Sequence, residues 1–157
     1  MSAPLHIALV EPQIPPNTGN VARLCAATRC ALHLVEPLGF RIDDRELRRA
    51  GLDYWGSVDL TVHASFEQFM TVANASRRWF FSTRAKRRYD QADFALGDFL
   101  IFGKETTGLP KQVLFENEAR GMRIPMHGNA VRSLNLSTAV GIVAYAALAQ
   151  LNFPNLS

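Results

Sequence analysis

The chain has 157 residues, 48% of them hydrophobic and 20% charged, and a formal net charge of +3. That is room for one domain with a real core, in the composition of an ordinary globular protein and with a basic balance that suits an anionic partner. A secreted disulfide scaffold is excluded, since Cys25 and Cys30 are the only cysteines, and so is a membrane-spanning helix, since the longest apolar run, within Ala139 to Ala149, falls short of the roughly 20 residues a bilayer needs. The opening MSAPLHIALVEP lacks the basic lead and apolar core of a signal peptide, so the expected location is the cytoplasm.

LHIALV (Leu5 to Val10) reads as a short buried strand. PPNTGNVARLCAAT reads as a helix with prolines ahead of it and Asn17 or Thr18 as its cap. ALHLVEP is a second strand ended by Pro37, DDRELRRAGL a short charged helix, VDLTVH a strand and SFEQFMTVAN a helix. RWFFST, DFLIFG and GMRIPM are further strands, and an apolar helix from Thr138 to Ala149 follows. STRAKRRYDQADF is the one long polar connection and reads as an exposed loop. Strands alternate with helices from end to end, without repeat or linker. The expected fold is α/β, a mostly parallel sheet flanked by helices, in a single domain over residues 1–157.

In open parallel sheets, ligands sit beyond the carboxyl ends of the strands. Three loops in that position carry unusual residues: PPNTGNVAR, GKETTGLP and PMHGNAVRSLN. None is a familiar nucleotide motif. Gly103-Lys104 lacks the earlier glycine of a P-loop, Asp98 standing there, and Glu105 replaces the Ser or Thr that would meet magnesium. Arg23 shares a helix face with the small residues Gly19, Asn20, Ala26 and Ala27, opposite Val21, Leu24, Cys25 and Thr28. It either faces a ligand or is a solvated surface arginine. Glu105, between two glycines, either meets a ligand or belongs to a turn leading into a helix at Pro110. His6 and His33 lie in strand patterns and read as packed rather than catalytic, His63 and His127 make no metal pair with them at helical spacing, and His127 lies in the third loop, where it could touch a ligand.

In order and spacing these loops resemble the three motifs of the SPOUT superfamily of RNA methyltransferases, and specifically the SpoU-type 2′-O-ribose methyltransferases. IPPNTGNVARLC is similar to motif 1, FGKETTGLP to motif 2 and IPMHGNAVRSLNLSTAVGI to motif 3, and the likeness extends to EPLGF and RRAGLDYW. With no added RNA-binding domain, the chain is most similar to the tRNA (cytidine/uridine-34-2′-O)-methyltransferase branch. One departure stands out: Val131-Arg132-Ser133 replaces the Ser-Arg-Ser of many relatives.

The resemblance implies a C-terminal deep trefoil knot, the SPOUT fold, a rare exception to un-knotted topology. It implies S-adenosyl-L-methionine bound against the second and third loops, at Phe81, Gly103, Ile124, Ser133 and Leu134. It implies a homodimer acting on the tRNA anticodon loop, with Arg23, Asn17, Glu105, Ser133 and Asn135 serving the chemistry. RNA contacts would come from Arg23, Arg132, Arg84, Lys86, Arg87 and Arg88, with Arg77, Arg78 and the RELRR run as further basic candidates. No metal is implied, since a sulfonium methyl donor is already an activated electrophile. Two other readings remain: a non-catalytic RNA-binding or assembly protein on the same fold, and a methyltransferase acting at another RNA position.

Overall fold

The structure is a computed structural model that describes residues 2–43, 45, 52–75 and 77–157, without the side chains of 52–54. Seven strands among these residues form one sheet: β1 (His6–Val10), β2 (Ala31–Val35), β3 (Leu60–His63), β4 (Arg78–Phe81), β5 (Arg87–Arg88), β6 (Phe99–Phe102) and β7 (Gly121–Arg123). Their order is β3-β2-β1-β6-β4-β7-β5, and every pairing is parallel. The helices are α1 (Pro15–Thr28), α2 (Phe66–Val72), α3 (Lys111–Glu116) and α4 (Leu136–Gln150). The charged helix expected over DDRELRRAGL, with most of the RELRR run, lies almost wholly outside the described residues.

Parallel strands covered on both faces must be apolar along their whole length. Successive side chains then serve opposite faces. Ile7, Leu9, Trp79, Phe81, Leu100 and Phe102 pack with Val21 and Cys25 of α1 and Val140, Val143 and Ala147 of α4. Ala8, Val10, Phe80, Phe99 and Ile101 pack on the other side with Phe69 of α2 and with Leu109, Val113 and Leu114. α4 is thus a core helix on one side, and none of its side chains carries a charge. No described helix is long and apolar enough to cross a membrane.

Two local expectations are corrected. Asn17 and Thr18 do not cap α1: Pro15 and Pro16 are inside its first turn, where a missing N–H costs nothing, and Ile14 stands at the cap without a side-chain hydrogen bond. Nor is STRAKRRYDQADF all loop, since Arg87 and Arg88 form β5 against β7. Two residues are too few to leave an alternation in the sequence.

The register of β1, β2 and β3 lines up three histidines. His6 Nδ1 lies 2.9 Å from His33 Nε2, and His33 Nδ1 lies 2.9 Å from His63 Nε2. Phe99 stacks on His6 at 4.3 Å and Phe69 meets His63 edge-on at 5.2 Å. The expected packing of His6 and His33 is what the structure has, with His63 completing the line. Burial, then the neighbouring His6 and His63, push the His33 pKa down from 6.5 to about 4. The unfolded chain therefore binds a proton at His33 that the folded chain refuses between those two values, so stability present above pH 6.5 is lost on acidification toward pH 4. The urea midpoint is expected to fall over that window, and His33→Gln to flatten the fall; a midpoint independent of pH there would contradict the argument.

Candidate active site

Because all strands run the same way, their carboxyl ends share one edge of the sheet. There a cleft of about 760 Å³ opens between the loops after β1, β4, β6 and β7. Of the residues expected at a site, Asn17, Phe81, Arg84, Gly103, Glu105, Ile124, Arg132, Ser133, Leu134 and Asn135 all line it. Phe81 and Phe102, the last residues of neighbouring strands, stack at 4.8 Å with planes 14° apart and give the cleft an apolar floor.

A chain of hydrogen bonds ties the three loops together. The Glu105 carboxylate accepts from the backbone N–H groups of Gln13 and Ile14, each at 2.8 Å, and from Asn17 Nδ2 at 3.1 Å. Asn17 Oδ1 accepts in turn from Asn135 Nδ2 at 3.0 Å. Asn135 Oδ1 caps α4, accepting from the N–H groups of Ser137 and Thr138 and from the Ser137 hydroxyl. Glu105 thus brings a negative charge to the N-terminal end of α1, where the helix dipole favours it, and takes the place of the missing side-chain cap. That explains why Asn17 is buried inside the first turn: a carboxylate and an amide from distant loops hold both ends of its side chain.

Gln13 and Thr106 add a second clasp, Gln13 Oε1 accepting from the Thr106 N–H at 3.2 Å and its hydroxyl at 2.8 Å. Neither residue was expected at the site. The available signals were the nearness of Gln13 to the first loop and the place of Thr106 within the second, GKETTGLP. Ile14, Phe102 and Met126 are further lining residues that sequence reasoning passed over. Lys104, the residue nearest to a P-loop lysine, lies 3.6 Å from the Glu11 carboxylate in an ion pair.

Other candidates lie outside the cleft. Arg23 is exposed on α1 and does not line the cleft; His127, in the loop after β7, is also exposed and does not line it. In the basic run, Arg84 stands at the mouth. Lys86 pairs with Glu118 at 2.8 Å, and Arg88 with Asp90 at 3.0 Å. Arg87 donates to the carbonyls of Ala119 and Gln91, so it secures the edge of the sheet. Among the described residues no group of three or more His, Cys, Asp or Glu side chains is placed to hold a metal ion.

Comparison with known proteins gives this geometry a context. A tRNA (cytidine(34)-2′-O)-methyltransferase of Saccharophagus degradans is 46% identical over 152 residues, which cover 94% of this chain and 96% of the relative. A solved structure bearing on the 2-OH methylation of C/U34 on tRNA is similar with a TM-score of 0.88 at 48% identity, covering 94% of this chain and 96% of that one. An AdoMet-bound rRNA methyltransferase from Sinorhizobium meliloti is similar with a TM-score of 0.85 at 25% identity, covering 96% of this chain and 59% of that one. The motif of the SpoU rRNA Methylase family runs through residues 4–145, all three loops of the cleft included, and the chain belongs to that family.

Proposed function

We propose that the protein transfers a methyl group from S-adenosyl-L-methionine to the ribose 2′-hydroxyl of the cytidine or uridine at position 34 of tRNA, the reaction for which its full-length relatives are named. The observation that carries the reading is the Glu105–Asn17–Asn135 chain, which brings the three family motifs onto one cleft.

The cleft suits the cofactor. Its volume, about 760 Å³, lies within the usual range for ligand pockets, and its mixture of aromatic floor and convergent polar groups suits a nucleoside with a charged tail. Phe81, Gly103, Ile124, Ser133 and Leu134 would hold it. Bound there, S-adenosylmethionine supplies a methyl group on a sulfonium, ready for transfer without a metal. The protein's part is to bring the 2′-oxygen into line and to ease loss of its proton. An arginine stays protonated in proteins, so Arg23 acts by holding the adjacent phosphate and stabilising the developing alkoxide, and the 2′-hydroxyl proton passes to solvent water rather than to the guanidinium. Glu105 is a positioning residue, its oxygens occupied by the start of α1 and by Asn17.

Three further features belong to this reading. The chain is a single domain threaded as a C-terminal trefoil knot; the placing of β6 between β1 and β4, and of β7 between β4 and β5, is compatible with such threading. It works as a homodimer, which the uncharged α4, with Tyr145 exposed and Ile142 and Ala146 half-buried, supports. It acts in the cytoplasm.

The deciding experiment maps 2′-O-methylation in tRNA from cells with and without the gene, and in the deficient tRNA after treatment with purified protein and S-adenosylmethionine. A methyl group at position 34 that depends on the protein is expected; its absence, or methylation elsewhere, overturns the reading. Arg84→Ala is expected to weaken tRNA binding and to lower the salt slope of log K by about 1, the signature of one phosphate contact. An unchanged slope in a salt titration would remove Arg84 from the RNA path.

A further inference from the structure

Beside the cleft lies a second groove of about 370 Å³, and Arg84 belongs to both. Lys86 and Lys111 add cations to its rim, while Leu114 and Phe115 of α3 make its apolar side. Phe115 is 77% exposed, more than any other large hydrophobic side chain among the described residues. It does not serve the core: Val113 and Leu114 carry the contact of α3 with the sheet. An aromatic face left open next to lysine and arginine side chains, on the flank of a cleft proposed to receive one nucleotide of a loop, matches the way single-stranded RNA is gripped. Bases stack on aromatic rings and cations track the phosphates. Glu118, which also lines the groove, is paired with Lys86, which leaves Arg84 and Lys111 as the cations that face an incoming anion, while Glu116, outside the lining, accepts from the Gln112 amide.

We propose that this groove is a second RNA subsite, in which the base of a nucleotide flanking the methylated one stacks on Phe115 while Arg84 and Lys111 hold its phosphate. The inference rests on the reading of the cleft as an RNA ribose methyltransferase site and adds the surface that sets the path of the strand leaving it. Stacking has no demand for a particular base, so the subsite would fix register rather than sequence.

The test measures binding of an anticodon stem-loop RNA to the full chain, wild type and Phe115→Ala, with intact RNA and with RNAs carrying a single abasic position on either side of nucleotide 34. Phe115→Ala is expected to weaken binding about tenfold, and Phe115→Trp to retain it. One of the two abasic RNAs should bind the wild type about tenfold more weakly, with no further loss on Phe115→Ala, because both changes remove the same stack. Affinity for S-adenosylhomocysteine should be unchanged, which shows that the variant is folded. Equal binding by Phe115→Ala and wild type, or independent losses from the two changes, overturns the proposal. So does a drop in solution mass on Phe115→Ala, which would make the groove an interface between copies. A wild type that binds the stem-loop but leaves nucleotide 34 of protein-deficient tRNA unmethylated refutes the activity instead, and the binding comparison still decides the groove.

Discussion

Arg23→Ala is expected to lower methyl transfer by about two orders of magnitude or more while the fold and the affinity for S-adenosylhomocysteine persist. Arg23 is exposed and six residues beyond Asn17, about 9 Å along the axis of α1. Truncation there empties no core position, and surface changes of this kind usually move stability by less than about 0.5 kcal/mol. The loops that would hold the cofactor contain no part of it. Arg23→Lys should rescue only in part, since an ammonium lacks the planar fork that grips a phosphate through two donors. The position outside its own cleft also suits an arginine that works on the partner's substrate in a homodimer. Light scattering should then give twice the 17.4 kDa chain mass. Mixed dimers of Arg23→Ala with a chain defective in cofactor binding should recover activity, because one of their two sites has every part. A folded, cofactor-binding Arg23→Ala with near wild-type turnover would make Arg23 a surface arginine and move the chemistry toward Arg132 and Ser133 in the cleft wall.

The strands other than β5 could be read from the chain because burial on both faces leaves apolar runs such as WFF and FLIF, which lie in β4 and make up β6. Their neighbours could not. An apolar run carries no label for its partner, so nothing in FLIF says that it lies between β1 and β4. The cleft was legible because motif 1, motif 2 and motif 3 residues recur at recognisable spacings, and Asn17, Glu105 and Asn135 do meet. The cap of α1 was misread for a reason of range. Local pattern offers Asn17 or Thr18, whereas the group that satisfies the helix start, Glu105, is 91 residues from Ile14 in sequence. The histidine line escaped for the same reason, since it exists only once the register of three strands is set. Phe115 was unremarkable in KQVLFE, where spacing alone cannot separate a core residue from an exposed one on a six-residue helix.

Gly103→Ala is expected to do the greatest damage to cofactor binding of any single methyl group added to the cleft. The loop after β6 folds back on itself: Gly108 N–H donates to the Lys104 carbonyl at 2.9 Å, and Gly108 takes a left-handed φ of 71° that glycine adopts without strain. The turn places Gly108 and Leu109 directly over the Gly103 α-carbon. A Cβ at Gly103 would overlap the carbonyl carbon of Gly108 and the nitrogen of Leu109, and would lie 2.6 Å from the Gly108 oxygen. These are backbone atoms and cannot rotate away as a side-chain tip would. Leu109 is anchored in the core at 2% exposure, so the strain either draws it out or drives the loop into the cleft. Overpacking of this kind costs about 1–3 kcal/mol, and this contact is expected at the upper end. If about 1.4 kcal/mol of it falls on the geometry that binds the ligand, affinity for S-adenosylhomocysteine drops tenfold. Calorimetry and thermal unfolding measure the two parts separately. Gly128→Ala is the matched control: it lies in the third motif, yet a Cβ there meets nothing within 4 Å, so stability and affinity should stay near wild type. If Gly103→Ala also kept the wild-type melting temperature and affinity, the close packing of the loop on Gly103 would not be what shapes the cofactor site.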